Sequence, residues 1–381
     1  MKQSMTSITA PSNRLSRRRF VRGIAASCLG SAAGALVSGR AGAQPAGGSK
    51  TDDPAILTVS TWGGVTQDAI KAYVEPAFAR QTGASLTFDI GNQGVRYNKL
   101  LAQRANPPAD VFFSTEEALI AGHRAGLLAP AHRSNLPNLT ELAPWALTVK
   151  DFGSDSTVAG VPYALLSLVL AYNPEIVKDK PTGWSDLWRP EFLGKLVMPA
   201  PVHSLMPELV VIANELAGGT PDDLSPGLHK LAALKPAKLS LFWTDWAPLD
   251  KSGDVVAGPE FDYYVETMKS QGYPIDYVIP TEKGIAAPEY VSVVKGTRQP
   301  ALAEAFLNLM LDPKVQQALA IETYQGPTNR TVQLAPAAMA RCACGARVDQ
   351  LRFFDVAPFI DARPALIERL NTEVLPQWGT R

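Results

Sequence analysis

Chemistry begins with groups that can share a site, and the reactive candidates in this sequence are few and dispersed. The four histidines, His123, His132, His203 and His229, show none of the spacings that hold a metal. Cys342 and Cys344 stand together in RCACG. In an oxidising compartment they would close a small, strained disulfide ring, the preferred reading, or stay as thiols; no second Cys or His cluster sits nearby to complete a metal site. There is no Gly-x-Ser-x-Gly elbow, no His-Glu-x-x-His and no Gly-rich phosphate loop with its lysine. Paired catalytic acids leave no local spacing, so a secreted hydrolase remains the alternative from another class. The reading adopted is a chain that is not an enzyme and carries no cofactor.

Binding chemistry is better represented. Ser60-Thr61-Trp62-Gly63-Gly64, Gly91-Asn92-Gln93-Gly94 and Ser114-Thr115-Glu116 combine glycine, hydroxyl and aromatic groups. Glycine lets backbone approach a ligand, and a helix that starts just after it offers free N–H groups. Trp62 supplies a flat apolar wall. Each segment taken singly is more simply an ordinary strand-to-helix turn. Together they occupy equivalent places in a regular alternation. Strands are predicted at Ile56–Ser60, Leu86–Ile90 and Asp110–Phe113. Helices follow at Ala69–Phe78 with a stop at Gly83, at Val95–Arg104 before Pro107-Pro108, and after Ser114 or Thr115 with a stop at Gly126. That order implies a parallel sheet with right-handed crossovers, whose ligand lies beyond the carboxyl ends of the strands.

Gly160–Asn173 is a long apolar run suited to buried strands, and WSDLWRPEFLGKLVMPAP reads as helix, turn and strand. Short strands are predicted at Asp254–Gly258, Asp276–Pro280 and Val291–Val294, with a helix from about Pro259 to Gln271. QPALAEAFLNLMLDPKVQQALA is helical and broken at Asp312-Pro313.

The N-terminus reads as an address. Ser16-Arg17-Arg18-Arg19-Phe20-Val21-Arg22 has the order of a twin-arginine export signal, followed by a Gly/Ala/Ser-rich apolar run too short to span a bilayer. Ala41-Gly42-Ala43 fits a cleavage site, so Gln44 would open the mature chain. Cys28 lacks the leucine of a lipoprotein box ahead of it, and no lipid anchor is expected. Residues 1–43 hold seven of the 36 basic residues and none of the 36 acidic ones, leaving 29 against 36 in the remaining 338 residues. That acidic balance argues against nucleic acid as a partner, and no later stretch approaches a membrane span.

From about Ile56 to Leu334 the chain resembles the bacterial periplasmic solute-binding proteins of ABC importers. Within them it is most similar to the spermidine/putrescine-binding group (extracellular solute-binding family 1) and its iron, thiamine and phosphonate relatives. The motifs that carry the resemblance are GVPYALLSLVLAYNPEIV, GWSDLWRPEFLGKLVMP and AFLNLMLDPKVQQALA…YQGPTNR. The resemblance implies a two-lobed α/β clamshell of type II, each lobe a mostly parallel sheet flanked by helices. Its implied division is residues 44–166 in lobe 1, 167–285 in lobe 2, and 286–381 returning to lobe 1 with C-terminal helices. It further implies a periplasmic monomer that hands a small amine-containing solute to permease subunits.

The site implied is Trp62, Gly63, Ser114, Thr115, Tyr163, Phe261, Asp262 and Glu289, with Glu289 as the counter-charge. Two departures stand out. The strand end that carries an acidic pair in polyamine binders reads Pro199-Ala200-Pro201, and the aromatic expected near the cleft carboxylate is Ala287. A ligand with one amine and an anionic or neutral part therefore fits better than a plain dication. The iron relatives' tyrosine pair has a counterpart in Tyr263-Tyr264, ranked below an amine because adjacent helical residues face different ways. Phe242–Pro248, with Asp245 between two tryptophans, reads as a cleft edge or a buried loop.

Overall fold

A computed structural model describes residues 55–147, 152–240, 246 and 254–379. The export segment, and the Phe242–Pro248 stretch apart from Trp246, lie outside the described residues.

The N-terminal alternation folds as its spacing predicts. Strands β1 (Ile56–Thr61), β2 (Ser85–Ile90) and β3 (Val111–Thr115) are parallel, with β1 central. The helix after β1 runs through α1 (Gly64–Ala69), a π turn at Ile70–Val74 and α2 (Glu75–Thr82), and Gly83 ends it at φ +72°. That positive φ suits glycine, which lacks the Cβ that makes it costly. Helix α3 (Gln93–Ala102) starts at the Asn92 cap. Helix α4 (Glu116–Arg124) starts where the Thr115 side chain accepts from the Ala118 N–H.

The long apolar run becomes one 12-residue strand, β4 (Val161–Tyr172), buried along its whole length. Beyond it come β5 (Val197–Pro199), helix α5 (Met206–Leu216), helix α6 (Ser225–Ala232) and β6 (Lys238–Ser240). Strand β7 (Ala257–Phe261) then leads into α7 (Asp262–Ser270). β5 and β6 are parallel, and Leu196 bridges in parallel to Ala257. The last long strand, β8 (Gly284–Val294), begins seven residues before the predicted Val291. Gly284-Ile285-Ala286-Ala287-Pro288 has little β propensity of its own, and pairing with Leu165–Leu168, and of Gly284 and Ile285 with Leu351 and Arg352, overrides it. Trp184–Trp188 is a 3₁₀ turn rather than an α-helix, since Pro190 lies two residues beyond it.

β8 runs antiparallel to β3 on one side and to β4 on the other, and β4 is antiparallel to β7. The parallel strands therefore form two groups, joined by an antiparallel pair that belongs to both. Two cores follow. One gathers Val59, Phe78, Phe113, Val161, Val291 and Phe306; the other gathers Leu168, Leu170, Phe192, Met206, Leu228 and Ile285. Ser167 lies directly opposite Ala286 where β4 and β8 pass from one core to the other.

The register of this pair shifts between Glu289 and Tyr290. Glu289 faces Ala164 and Tyr290 faces Pro162, so Tyr163 is an extra residue left out of the ladder. It is a β-bulge.

Helices α8 (Pro300–Met310) and α9 (Pro313–Thr323) lie on the first core, the second capped by Asp312. The Pro-Thr-Asn motif has a structural use: the Gln316 Oε1 accepts from the Thr328 and Asn329 N–H groups, and the Thr328 hydroxyl donates to the Pro162 carbonyl. The C-terminal helix α10 (Ala357–Arg369) packs against both α4 and α5. Leu366 within it, and Leu370, Val374 and Trp378 just beyond it, join the second core.

Cys342 and Cys344 are free, buried thiols with Sγ atoms 2.7 Å apart, not the preferred disulfide. No helix among the described residues is long and apolar enough to cross a membrane.

Candidate functional site

A cavity of about 280 Å³ opens where the two cores meet, a size suited to a small solute. The start of α4 contributes Thr115, Glu116 and Glu117, and the middle of the crossing pair contributes Leu166, Ala286, Ala287, Pro288 and Glu289. Ser204 and Leu205 come from the loop into α5, Glu208 from the first turn of α5, and Phe261 from the end of β7. Phe353, Phe354, Asp355 and Val356 close the cavity from the segment before α10.

Its chemistry is that of carboxylates among apolar walls. Glu289, 8 % exposed, is pushed up to about 7 by burial, while the Tyr163 hydroxyl and the Arg96 guanidinium pull the other way. The Tyr163 hydroxyl donates to Glu289 Oε2 at 2.5 Å. Glu116 is also pushed up to about 7 by burial, with the Asp355 charge adding and the Tyr290 hydroxyl opposing. Glu208 rises furthest, to about 8, again through burial; it is 3 % exposed and its Oε2 has no hydrogen-bond partner. Glu117 is raised by burial, opposed by Arg363, whose Nη1 donates to Glu117 Oε2 at 2.9 Å. No lysine, arginine or histidine is among the described residues that line the space.

Of the residues proposed from sequence, Thr115, Phe261 and Glu289 line the cavity, and Tyr163 reaches it through Glu289. Ser114 lies just beneath, fully buried, with an unpartnered hydroxyl. Trp62 and Gly63 lie outside the lining. The Trp62 ring sits 4.9 Å from the buried Arg96 guanidinium and edge-on to Phe113. Gly63 holds φ +90°, and a Cβ there would come within 2.7 Å of Ile90. Asp262 serves the backbone instead of the cavity. Its Oδ1 accepts the Ser167 N–H at 3.0 Å and the Tyr263 N–H at 2.9 Å, tying α7 to the crossing strand. Among the described residues no group of three His, Cys, Asp or Glu is placed to hold a metal, and Tyr263 is buried with its pKa raised well above the usual value by burial. His203 is pushed down to about 4 by burial and by Arg363, so its ring is neutral.

Glu116 and Glu208 add carboxylates to the cavity lining, and Phe353 and Phe354 add rings. Sequence reading missed these because a lone glutamate is usually solvated. Only Pro207-Glu208 at the start of an otherwise apolar helix, MPELVVIANEL, marked an acid headed indoors.

A family model described as bacterial extracellular solute-binding protein matches residues 75–341. The chain is 25% identical to a gamma-aminobutyric acid-binding protein of Pseudomonas aeruginosa, over 85% of this chain and 91% of that one. It is 26% identical to spermidine/putrescine-binding periplasmic protein 1 of Haemophilus influenzae, over 64% and 68% of the two chains. Among solved structures, an ABC transporter from Clostridium perfringens superposes with a TM-score of 0.70 at 26% identity, covering 84% of this chain and 99% of that one. An ABC transporter substrate-binding protein from Bradyrhizobium japonicum gives 0.72 at 22% identity, with 84% and 99% covered. With its two cores, paired crossing strands and cavity between them, the chain belongs to the bacterial extracellular solute-binding proteins and has their two-lobed type II fold.

Proposed function

We propose that the chain captures a small amine carrying at least two ammonium groups in the inter-lobe cavity, as the solute-binding subunit of an ABC importer. The lining carries the reading: Glu116, Glu208 and Glu289 lie beside Phe261 and Phe354, and among the described residues only Glu117 of these acids is hydrogen-bonded to an arginine. Carboxylates pair with ammonium groups and ring faces attract them. The zwitterion taken by the Pseudomonas relative would set its carboxylate against these glutamates. This favours a polyamine-like solute and revises the single-amine preference drawn from sequence. The lobes would divide at the Ser167–Ala286 pair, close on ligand as a hinge, and meet permease subunits as a monomer after export through the Arg17-Arg18 signal and cleavage near Ala43.

Calorimetry on the mature protein with putrescine, spermidine and gamma-aminobutyrate tests this. Putrescine or spermidine should bind, and Glu289→Gln should weaken binding by roughly 2–5 kcal/mol, the cost of losing a desolvated charge partner. Binding of gamma-aminobutyrate alone, or Glu289→Gln binding as wild type does, would overturn the polyamine assignment.

A further inference from the structure

Helix α10 lies beyond the family-matched residues 75–341, yet its start borders the cavity. Its C-terminal half is fixed to the second lobe. Leu366 is buried there, and the Trp378 Nε1 further on donates to the Leu231 carbonyl at 2.7 Å. Its N-terminal half reaches the other lobe. Arg363 donates from Nη2 to the Val202 and His203 carbonyls, both at 2.9 Å, and from Nη1 to the Ser204 carbonyl at 3.4 Å. The same Nη1 bonds Glu117 Oε2 on α4 at 2.9 Å. Three contacts therefore hold the guanidinium to the second lobe, and one crosses to the first.

We propose that Arg363 is a positioning residue for ligand capture, a clasp whose single bond to Glu117 holds the cleft shut at the cavity mouth. The proposal rests on the hinged-capture reading above. Opening the cleft would break that bond while leaving the carbonyl contacts intact, so the cost falls on the open–closed equilibrium. The neighbouring Arg124–Asp361 pair also spans the lobes, at 3.0 Å, but Asp361 is 81 % exposed. Such a pair adds little, whereas the Arg363 and Glu117 side chains are 17 % and 21 % exposed. Lysine cannot replace the fork, which serves carbonyls and carboxylate at once.

The test uses Arg363→Gln, Arg363→Lys, Glu117→Gln and the double variant Arg363→Gln/Glu117→Gln. Solution scattering without ligand should show the same rise in radius of gyration in each single variant, and no further rise in the double one. With putrescine as probe, dissociation should quicken about 10- to 100-fold in each single variant and no more in the double variant. Equal radii in wild type and every variant, or additive effects in the double, would overturn the clasp. A wild type that binds neither putrescine nor spermidine would sink the amine reading while the ligand-free scattering still decides the clasp. Should Arg363→Gln fail to fold, Glu117→Gln cuts the same bond from its other end.

Discussion

Glu208 offers the sharpest physical test. Burial lifts its carboxyl from the ordinary 4.5 to about 8, and its Oε2 has no partner. The native state thus holds this proton more tightly than the unfolded chain does. Stability linked to Glu208 is complete below about pH 4.5 and drains away as pH rises through about 8. The loss amounts to about 3 kcal/mol at pH 7 and roughly 5 kcal/mol at the alkaline limit. Glu208→Gln keeps the shape and removes the titration. Ligand-free urea unfolding at pH 5 should scarcely distinguish the variant from wild type, whereas at pH 8.5 the variant should be more stable by several kcal/mol, about 3–5. The acid has a use that the variant forfeits. An ammonium seated beside Glu208 favours its ionised form, so binding near neutral pH should release a proton, and the putrescine enthalpy should depend on the buffer's own ionisation heat. A stability difference that does not change between pH 5 and pH 8.5 would refute the argument, as would a buffer-independent enthalpy.

Tyr163→Phe removes the donor to Glu289 Oε2 and should weaken putrescine binding by about 1–3 kcal/mol at pH 7. Part of that loss should return at pH 9, where Glu289 is ionised without help; an equal loss at both pH values would contradict the role given to the hydroxyl. For export, replacing Arg17 and Arg18 with lysine should hold the precursor in the cytoplasm in a fractionation experiment, and normal maturation would instead indicate a general secretory signal.

Much of the fold was legible in the sequence because its first half repeats one unit, strand then glycine or hydroxyl turn then helix, and each turn carries its own signal. Thr115 and Gly83 act as predicted because caps are local devices. The site was legible only in part, for the opposite reason. Glu289 was found through resemblance, but it was placed just before a strand, whereas it lies inside β8. Gly284–Pro288 looks unlike a strand until it is paired with the far half of β4. Glu116 was named only as the end of a strand-to-helix turn, and Glu208 was passed over, because their burial comes from segments distant in the chain; Asp355 was passed over because its segment folds back onto the cavity from near the chain end. Asp262, expected at the ligand, lies outside the cavity lining with its Oδ1 on the Ser167 and Tyr263 N–H groups.

The bulge at Tyr163 makes pairing register, more than composition, the constraint at the centre of the molecule. Residues directly opposite each other in a ladder point to the same face. Ile285 with Leu168, Ala287 with Leu166, Glu289 with Ala164, and Val291 with Val161 therefore lie in one row, from the second core through the cavity to the first. On β8 these are all odd-numbered. On β4 they are even-numbered up to Ala164 and then odd at Val161, a change of phase that the one extra residue permits. Drawing Tyr163 into the ladder, with no residue lost, would turn every β4 side chain upstream of it to the opposite face, putting Pro162 where Val161 stands in the first core while leaving the second untouched. Deletion of Tyr163 alone should thus cost its bond to Glu289 but leave Pro162 opposite Tyr290 and Val161 opposite Val291, with both lobes in register.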